Sequence, residues 1–313
     1  MGCAGALETR AMNSLIENLK ELESALKREI IGQDEPLADI ASLLRRACCG
    51  CRYGAQPMAS MLLLGPTGVG KTESVRIFTR QLFGVDKLVR LDMSEYMTLD
   101  SIGLLRGQHT KDRGILGAYF DYSQGSGTLL FDEIEKAHPL IRDIFLQILS
   151  AGRFTLANGE TLDLTRYVVA ATSNIGSHMI AESRTEDRTR LEKRTLQAAT
   201  DDIRLETLGR FDLIAVFNKL SRSALGAVAK YHTQNACAAL NAQGHNLVIE
   251  PGVADIVQRK GYSEQFGARP IQKAAMQILG DLVAGQMLGN GGEKVQATVR
   301  ADQRTNSCYL MKS

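Results

Sequence analysis

Two short stretches combine residue types that handle phosphate. Gly65-Pro66-Thr67-Gly68-Val69-Gly70-Lys71-Thr72 places a lysine and a hydroxyl directly after a glycine-rich turn. Small residues there let backbone N–H groups face an anion, and a helix starting at Lys71 adds its positive end. Lys71 is expected to reach the β- and γ-phosphates and Thr72 to hold magnesium. The second stretch, Thr128-Leu129-Leu130-Phe131-Asp132-Glu133, is an apolar run ending in two carboxylates. Asp132 is expected to support the metal and Glu133 to polarise an attacking water. Together they predict binding of ATP with magnesium, and its hydrolysis.

Such groups need rigid elements behind them. Met61-Leu62-Leu63-Leu64 is short, continuous and apolar, which reads as a buried central strand, and a helix from Lys71 to about Phe83 follows. Further strands are expected over Leu88 to Asp92, Thr128 to Phe131 and Tyr167 to Thr172, with helical patterns between them. That alternation predicts an α/β fold, a parallel sheet sandwiched by helices. Upstream, Leu15, Leu19, Leu22 and Leu26 line one face of an amphipathic helix, and a second helix is expected from Pro36 to Ala47. Beyond about Asn218 the texture turns helical (Ser221 to Ala242, Gly252 to Lys260, Ala268 to Leu288) and closes with a β-hairpin, Lys294 to Arg300 and Ser307 to Leu310. The expected division is an N-terminal helix over 1–29, a large domain over 30–217 and a small one over 218–313.

Composition narrows the partners. With 37 Lys and Arg against 35 Asp and Glu, the net charge of +2 supplies no field that would argue for nucleic acid or a membrane surface. No apolar stretch approaches a membrane span, so a cytoplasmic protein is expected. Ala6 stands where an acylation signal at Met1-Gly2-Cys3 would need Ser or Thr. Cys48, Cys49 and Cys51 lack a second ligand pair at zinc spacing and read as reduced thiols at a helix end. The mixed-sign run Arg184 to Arg194 reads as a solvated helix or loop.

With those motifs in place, the chain resembles the AAA+ ATPases, and among them the second ATPase domain of the Clp chaperone family, ClpB and ClpA. The resemblance runs from about Leu15 to the C-terminus on six stretches: 30–35 (Ile-Ile-Gly-Gln-Asp-Glu), Gly65 to Glu73, 91–97 (Leu-Asp-Met-Ser-Glu-Tyr-Met), 131–139 (Phe-Asp-Glu-Ile-Glu-Lys-Ala-His-Pro), 172–177 (Thr-Ser-Asn-Ile-Gly-Ser) and 267–270 (Gly-Ala-Arg-Pro). It implies that Ile30 and Ile31 line an adenine pocket, that Glu73 belongs to the nucleotide-binding set with Pro66, Thr67, Gly68, Val69 and Gly70, and that Asn174 is the first sensor residue. Arg269 would be the second sensor arginine, reaching the γ-phosphate. Arg210, in Leu208-Gly209-Arg210-Phe211-Asp212, sits at the arginine-finger position, which implies a ring, most simply a hexamer of this chain; its neighbours depart from the family's Asn-Arg-Ile-Asp.

The pattern also breaks. Where Clp unfoldases carry an aromatic Gly-Tyr-Val-Gly pore loop, ungapped counting puts Gly107-Gln108-His109-Thr110, so sequence-tolerant grip is not expected unless a gap brings Tyr119 or Phe120 to the pore. A second loop, Arg153 to Thr161 with an Asn158-Gly159 turn, is retained in outline. No docking tripeptide for the ClpP protease follows Asn174, and the 313 residues leave no room for the family's other domains, so a standalone single ring is expected. The leading reading is an oligomeric ATPase that remodels or threads a dedicated protein partner. A nucleotide-switched assembly module that recruits a partner without threading is the alternative. A nucleic-acid motor comes third, unsupported by charge or by stacking aromatics.

Overall fold

The computed structural model describes residues 2–51, 54–109, 111–182, 188–263 and 266–312, and it divides into two compact units: Met1–Pro66 with Gly70–Asn218, and Thr67–Val69 with Lys219–Ser313.

The first unit begins with helices α1 (Gly2–Glu29) and α2 (Asp34–Cys48). Leu19, Leu22 and Leu26 of α1 are buried, as their spacing predicts, while the helix itself starts well ahead of the periodic stretch. Chain order then runs β1 (Ala59–Leu64), α3 (Lys71–Leu82), β2 (Leu88–Asp92), α4 (Ile102–Arg106), α5 (Gly114–Ser123), β3 (Gly127–Asp132) and α6 (Pro139–Ala151). A hairpin of β4 (Arg153–Thr155) and β5 (Thr161–Asp163) follows, then β6 (Tyr167–Ser173), α7 (Ser177–Glu182), α8 (Arg188–Asp202), α9 (Leu205–Leu208) and β7 (Leu213–Val216). Of the charged run, 188–194 is helical, and 184–187 lies outside the described residues.

Five strands form one parallel sheet in the order β2-β3-β6-β1-β7. Strands β1, β3 and β6 are buried along their whole length, which is why they read as continuous apolar runs with no alternation. Leu64 pairs with Ser173, Phe131 with Ala171 and Asp92 with Asp132, so the carboxyl ends of four strands finish in step at one edge. Open parallel sheets present their ligand groups at that edge. Phe131 meets Phe145 edge-to-face with ring centroids 4.3 Å apart, tying β3 to α6 beneath it.

The second unit holds α10 (Arg222–Ala242), β8 (Asn246–Ile249), α11 (Gly252–Gly261), α12 (Arg269–Gly289), β9 (Gln296–Asp302) and β10 (Ser307–Lys312). The expected terminal hairpin is present as β9 and β10, but it is part of a three-stranded sheet, because β8 adds in parallel to β9. Asn246-Leu247-Val248-Ile249 is only four residues long and lies between two helices, so its strand character comes from pairing that sequence spacing does not reveal. Strand β7 was missed for the same reason.

Candidate functional site

The five chemistry-bearing residues of the first unit converge at the common edge of β1, β3 and β6. Lys71 opens α3, and only 7% of it is exposed. Its Nζ donates to the carbonyls of Gly65 at 2.5 Å and Pro66 at 2.7 Å and to Asn174 Oδ1 at 3.1 Å. Gly70 before it has φ 106°, a left-handed conformation, and a Cβ there would sit 2.8 Å from Ile30 Cγ2. Glycine is therefore required at position 70, and Ile30 packs directly under the loop. Ile31 is half-buried beside it. Glu73 points to Arg76 at 3.6 Å.

Thr72 Oγ1 lies 3.1 Å from Asp132 Oδ1, and Thr172 Oγ1 also donates to that oxygen. Glu133 adopts φ 59° and ψ 53°, a conformation that costs a non-glycine residue about 1–3 kcal/mol. Strain of this kind persists where surrounding bonds demand it. Here the Glu133 N–H donates to Thr172 Oγ1 at 3.1 Å, Asn174 Nδ2 donates to Glu133 Oε1 at 3.0 Å, and Lys136 Nζ pairs with Oε2. The pairing with Glu133 pushes the Lys136 ammonium above its ordinary pKa. Glu135 accepts from the Asn174 N–H at 3.1 Å, so the two carboxylates of this turn hold Asn174 from both its side chain and its backbone.

A buried ammonium at a helix N-terminus beside a hydroxyl and a carboxylate suits a phosphate chain with a hard divalent cation. The residues present therefore fit ATP and magnesium. Thr72 and Asp132 would hold the metal, and Lys71 with the backbone of 66–70 would hold the phosphates.

Arg210 is exposed in the turn between α9 and β7, and its side chain is not part of that cluster. Its backbone is pinned: Ser60 Oγ donates to the Arg210 carbonyl at 3.4 Å and to Asp212 Oδ2 at 2.7 Å, and the Ser60 N–H also reaches Asp212 Oδ2 at 2.7 Å. Arg269 is the first residue of α12 in the second unit. The motifs assign no role to three residues that the structure ties in, although Gln33 and Thr172 lie within them. Arg90 binds Asp132 through Nε at 2.8 Å, Thr172 bridges Asp132 to the Glu133 backbone, and Gln33 exchanges two hydrogen bonds with Asn218, of 2.7 and 3.1 Å. A charged residue inside the β2 run was the available signal for Arg90.

At the pore-loop position the described residues Gly107 and Gln108 lie against Asp112. Gly107 has φ 85°, and a Cβ there would lie 1.9 Å from the Asp112 carbonyl oxygen. The Asp112 carboxylate accepts the N–H of Gly114 at 2.8 Å and of Gln108 at 3.0 Å. Gln108 and His109 are both exposed, the Gln108 side chain lies near Gly103, and Thr110 lies outside the described residues. The fallback aromatics are engaged elsewhere: Tyr119 is 8% exposed and donates to the Lys87 carbonyl at 2.5 Å, and the half-buried Phe120 stacks on Tyr167 at 5.9 Å. The 153–163 hairpin is tied to this turn, through Ala157 N–H to the Arg106 carbonyl at 2.9 Å and Arg113 to Glu160 at 2.5 Å.

Among known protein families, residues 56–214 match the AAA domain (Cdc48 subfamily), and residues 220–301 match the C-terminal D2-small domain of ClpB protein. Chaperone protein ClpB 1 of Nostoc sp. (strain PCC 7120) is 35% identical over 295 residues, covering 90% of this chain and 33% of that protein. The ATP-dependent Clp protease ATP-binding subunit ClpA homolog of Porphyra purpurea is 34% identical over 304 residues, covering 90% and 36%. Among solved structures, closed-state Hsp104 with ATPγS and FITC-casein superposes with a TM-score of 0.83 at 28% identity, covering 94% of this chain and 52% of that one. The S. cerevisiae Hsp104–ADP complex superposes at 0.81 with 28% identity, covering 93% and 52%. The chain spans about a third of the length of these curated relatives.

Proposed function

This chain belongs to the AAA ATPases, in their Clp branch, and from that premise we propose that it works as an oligomeric ring that uses ATP hydrolysis to remodel a dedicated protein partner. One observation carries the proposal: Lys71, Thr72, Asp132, Glu133 and Asn174 form a continuous bonded cluster at one sheet edge, while Arg210 is held outside it and exposed. A site that lacks its finger within the subunit is completed by a neighbouring copy.

When bound, magnesium neutralises charge on the phosphates. The chain's own groups do the rest. Lys71 and the backbone of 66–70 bind and orient the nucleotide, and Ile30 and Ile31 cover its base. The Glu133 carboxylate accepts a proton from the attacking water, and Asn174 sets the direction of that carboxylate. Arg210 from the neighbouring copy stabilises charge on the transferring phosphoryl group, an effect of about 10³ to 10⁵ in turnover. Arg269 is assigned to nucleotide sensing on its Gly-Ala-Arg-Pro motif.

The packing of Gly107 and Gln108 against Asp112 favours a second reading, an assembly module whose ATP state recruits a partner without threading it. A ring gripping arbitrary sequence needs an apolar surface at the pore, and here the exposed described residues of the segment are Gln108 and His109, which offer directional hydrogen bonds. Glu133→Gln protein loaded with ATP should retain the partner, and wild type with ATP should release it in altered form. Unfolding of a generic tagged substrate by wild type would overturn selective engagement. Partner release without any change in its structure would favour the second reading.

A further inference from the structure

Arg90 stands between Val89 and Leu91 in β2, and β2 pairs with β3 so that Arg90 faces Leu130 and Asp92 faces Asp132. Its guanidinium reaches across to Asp132 Oδ2, with Nε at 2.8 Å and Nη2 at 2.6 Å. The Asp132 side chain is 7% exposed. Its Oδ1 is taken by Thr172 Oγ1 and Thr72 Oγ1. Both oxygens of the carboxylate assigned to the metal are thus engaged, and its charge is matched by a guanidinium in contact.

Hard divalent cations are drawn to clustered negative oxygens. Around Asp132 stand the cations Arg90, Lys71 and Lys136 and the carboxylates of Asp92, Glu133 and Glu135, and of these cations Arg90 is the one paired with Asp132. A bare cation entering at Asp132 must compete with a guanidinium already in contact with that carboxylate. Nucleotide phosphates tip that competition toward the metal by bringing several negative charges of their own. We propose that Arg90 is a positioning and selectivity residue: it holds Asp132 in the nucleotide-free protein and makes divalent-metal loading conditional on bound nucleotide. The inference rests on the reading of Asp132 as the metal residue.

Manganese binding, followed by electron paramagnetic resonance on the intact chain at low ionic strength, tests this without turnover. Nucleotide-free wild type should bind no Mn²⁺ at micromolar concentration. Arg90→Gln should bind it at least about tenfold more tightly, because one contacting positive charge is gone. Adding Asp132→Asn to Arg90→Gln should abolish the gain, and Arg90→Lys should behave like wild type. Saturable Mn²⁺ binding to nucleotide-free wild type overturns the proposal whatever the variants do, as does an Arg90→Gln protein that binds no better. With ATP present, Asp132→Asn should weaken Mn²⁺ binding. If it does not, the metal reading of Asp132 fails; if it does while Arg90→Gln changes nothing, Arg90 alone is misassigned.

Discussion

Asn174 Nδ2 donates to Glu133 Oε1 at 3.0 Å, while Asn174 Oδ1 accepts the Lys71 ammonium at 3.1 Å. One amide therefore links the side chain proposed to grip phosphate to the one proposed to handle water, and the strained Glu133 backbone is held in the geometry of this link.

Glu133→Gln keeps a similar shape but removes the base. ATP binding should persist, and hydrolysis should fall about 10²-fold or more. Asn174→Ala should give a smaller loss in kcat with little change in ATP affinity, because Glu133 remains but is no longer aimed. Single-turnover hydrolysis beside fluorescent-nucleotide titration separates the two. Wild-type turnover in Glu133→Gln would remove it from the chemistry.

Arg210→Ala should bind nucleotide normally in the isolated subunit and fail to hydrolyse it in the assembly. Its mixture with Glu133→Gln contains interfaces in which both halves are intact, so partial activity should return. Mixed assemblies that form and stay inactive would rule out completion by a neighbour. The pinning of the Arg210 backbone by Ser60 and Asp212 predicts that Asp212→Ala lowers turnover in the same direction.

Gln33 is 2% exposed and satisfies both the N–H and the carbonyl of Asn218. Gln33→Ala leaves those backbone groups unpaired and should destabilise the first unit by about 1–3 kcal/mol, read by chemical denaturation. Gln33→Glu keeps the acceptor but sets a buried carboxylate against the Asn218 carbonyl, and should destabilise at least as much.

Backbone N–H groups of Gly114 and then Gln108 hold the Asp112 carboxyl below its ordinary pKa. Its folded value is depressed, so its support of the 107–114 turn is complete above the unfolded value of about 3.9 and is lost as pH falls through the folded value. Amide protection of Gln108 and Gly114 should therefore drop selectively on acidification into that window. Asp112→Asn should abolish this pH dependence; protection unaffected by pH in wild type would show that Asp112 does not hold the turn.

Contiguous features were legible in the sequence. The glycine-rich loop and the Asp132-Glu133 pair act through residues adjacent in the chain, and fully buried strands such as β1 and β6 announce themselves as apolar runs because both faces are covered. From these the α/β class, the AAA resemblance and the phosphate chemistry follow. Strand neighbours were not legible: Arg90 could be matched with Asp132 only once β2 was seen beside β3 with Asp92 level with Asp132, and Gln33 meets Asn218 across 185 residues of chain. Nor did residue types reveal that Gly107 and Gln108 close on Asp112. Local propensity and periodicity act between near neighbours, so the sequence by itself determined the elements and the motifs they carry. Which side chains then meet depends on strand order and register, and only the packed tertiary structure decided those.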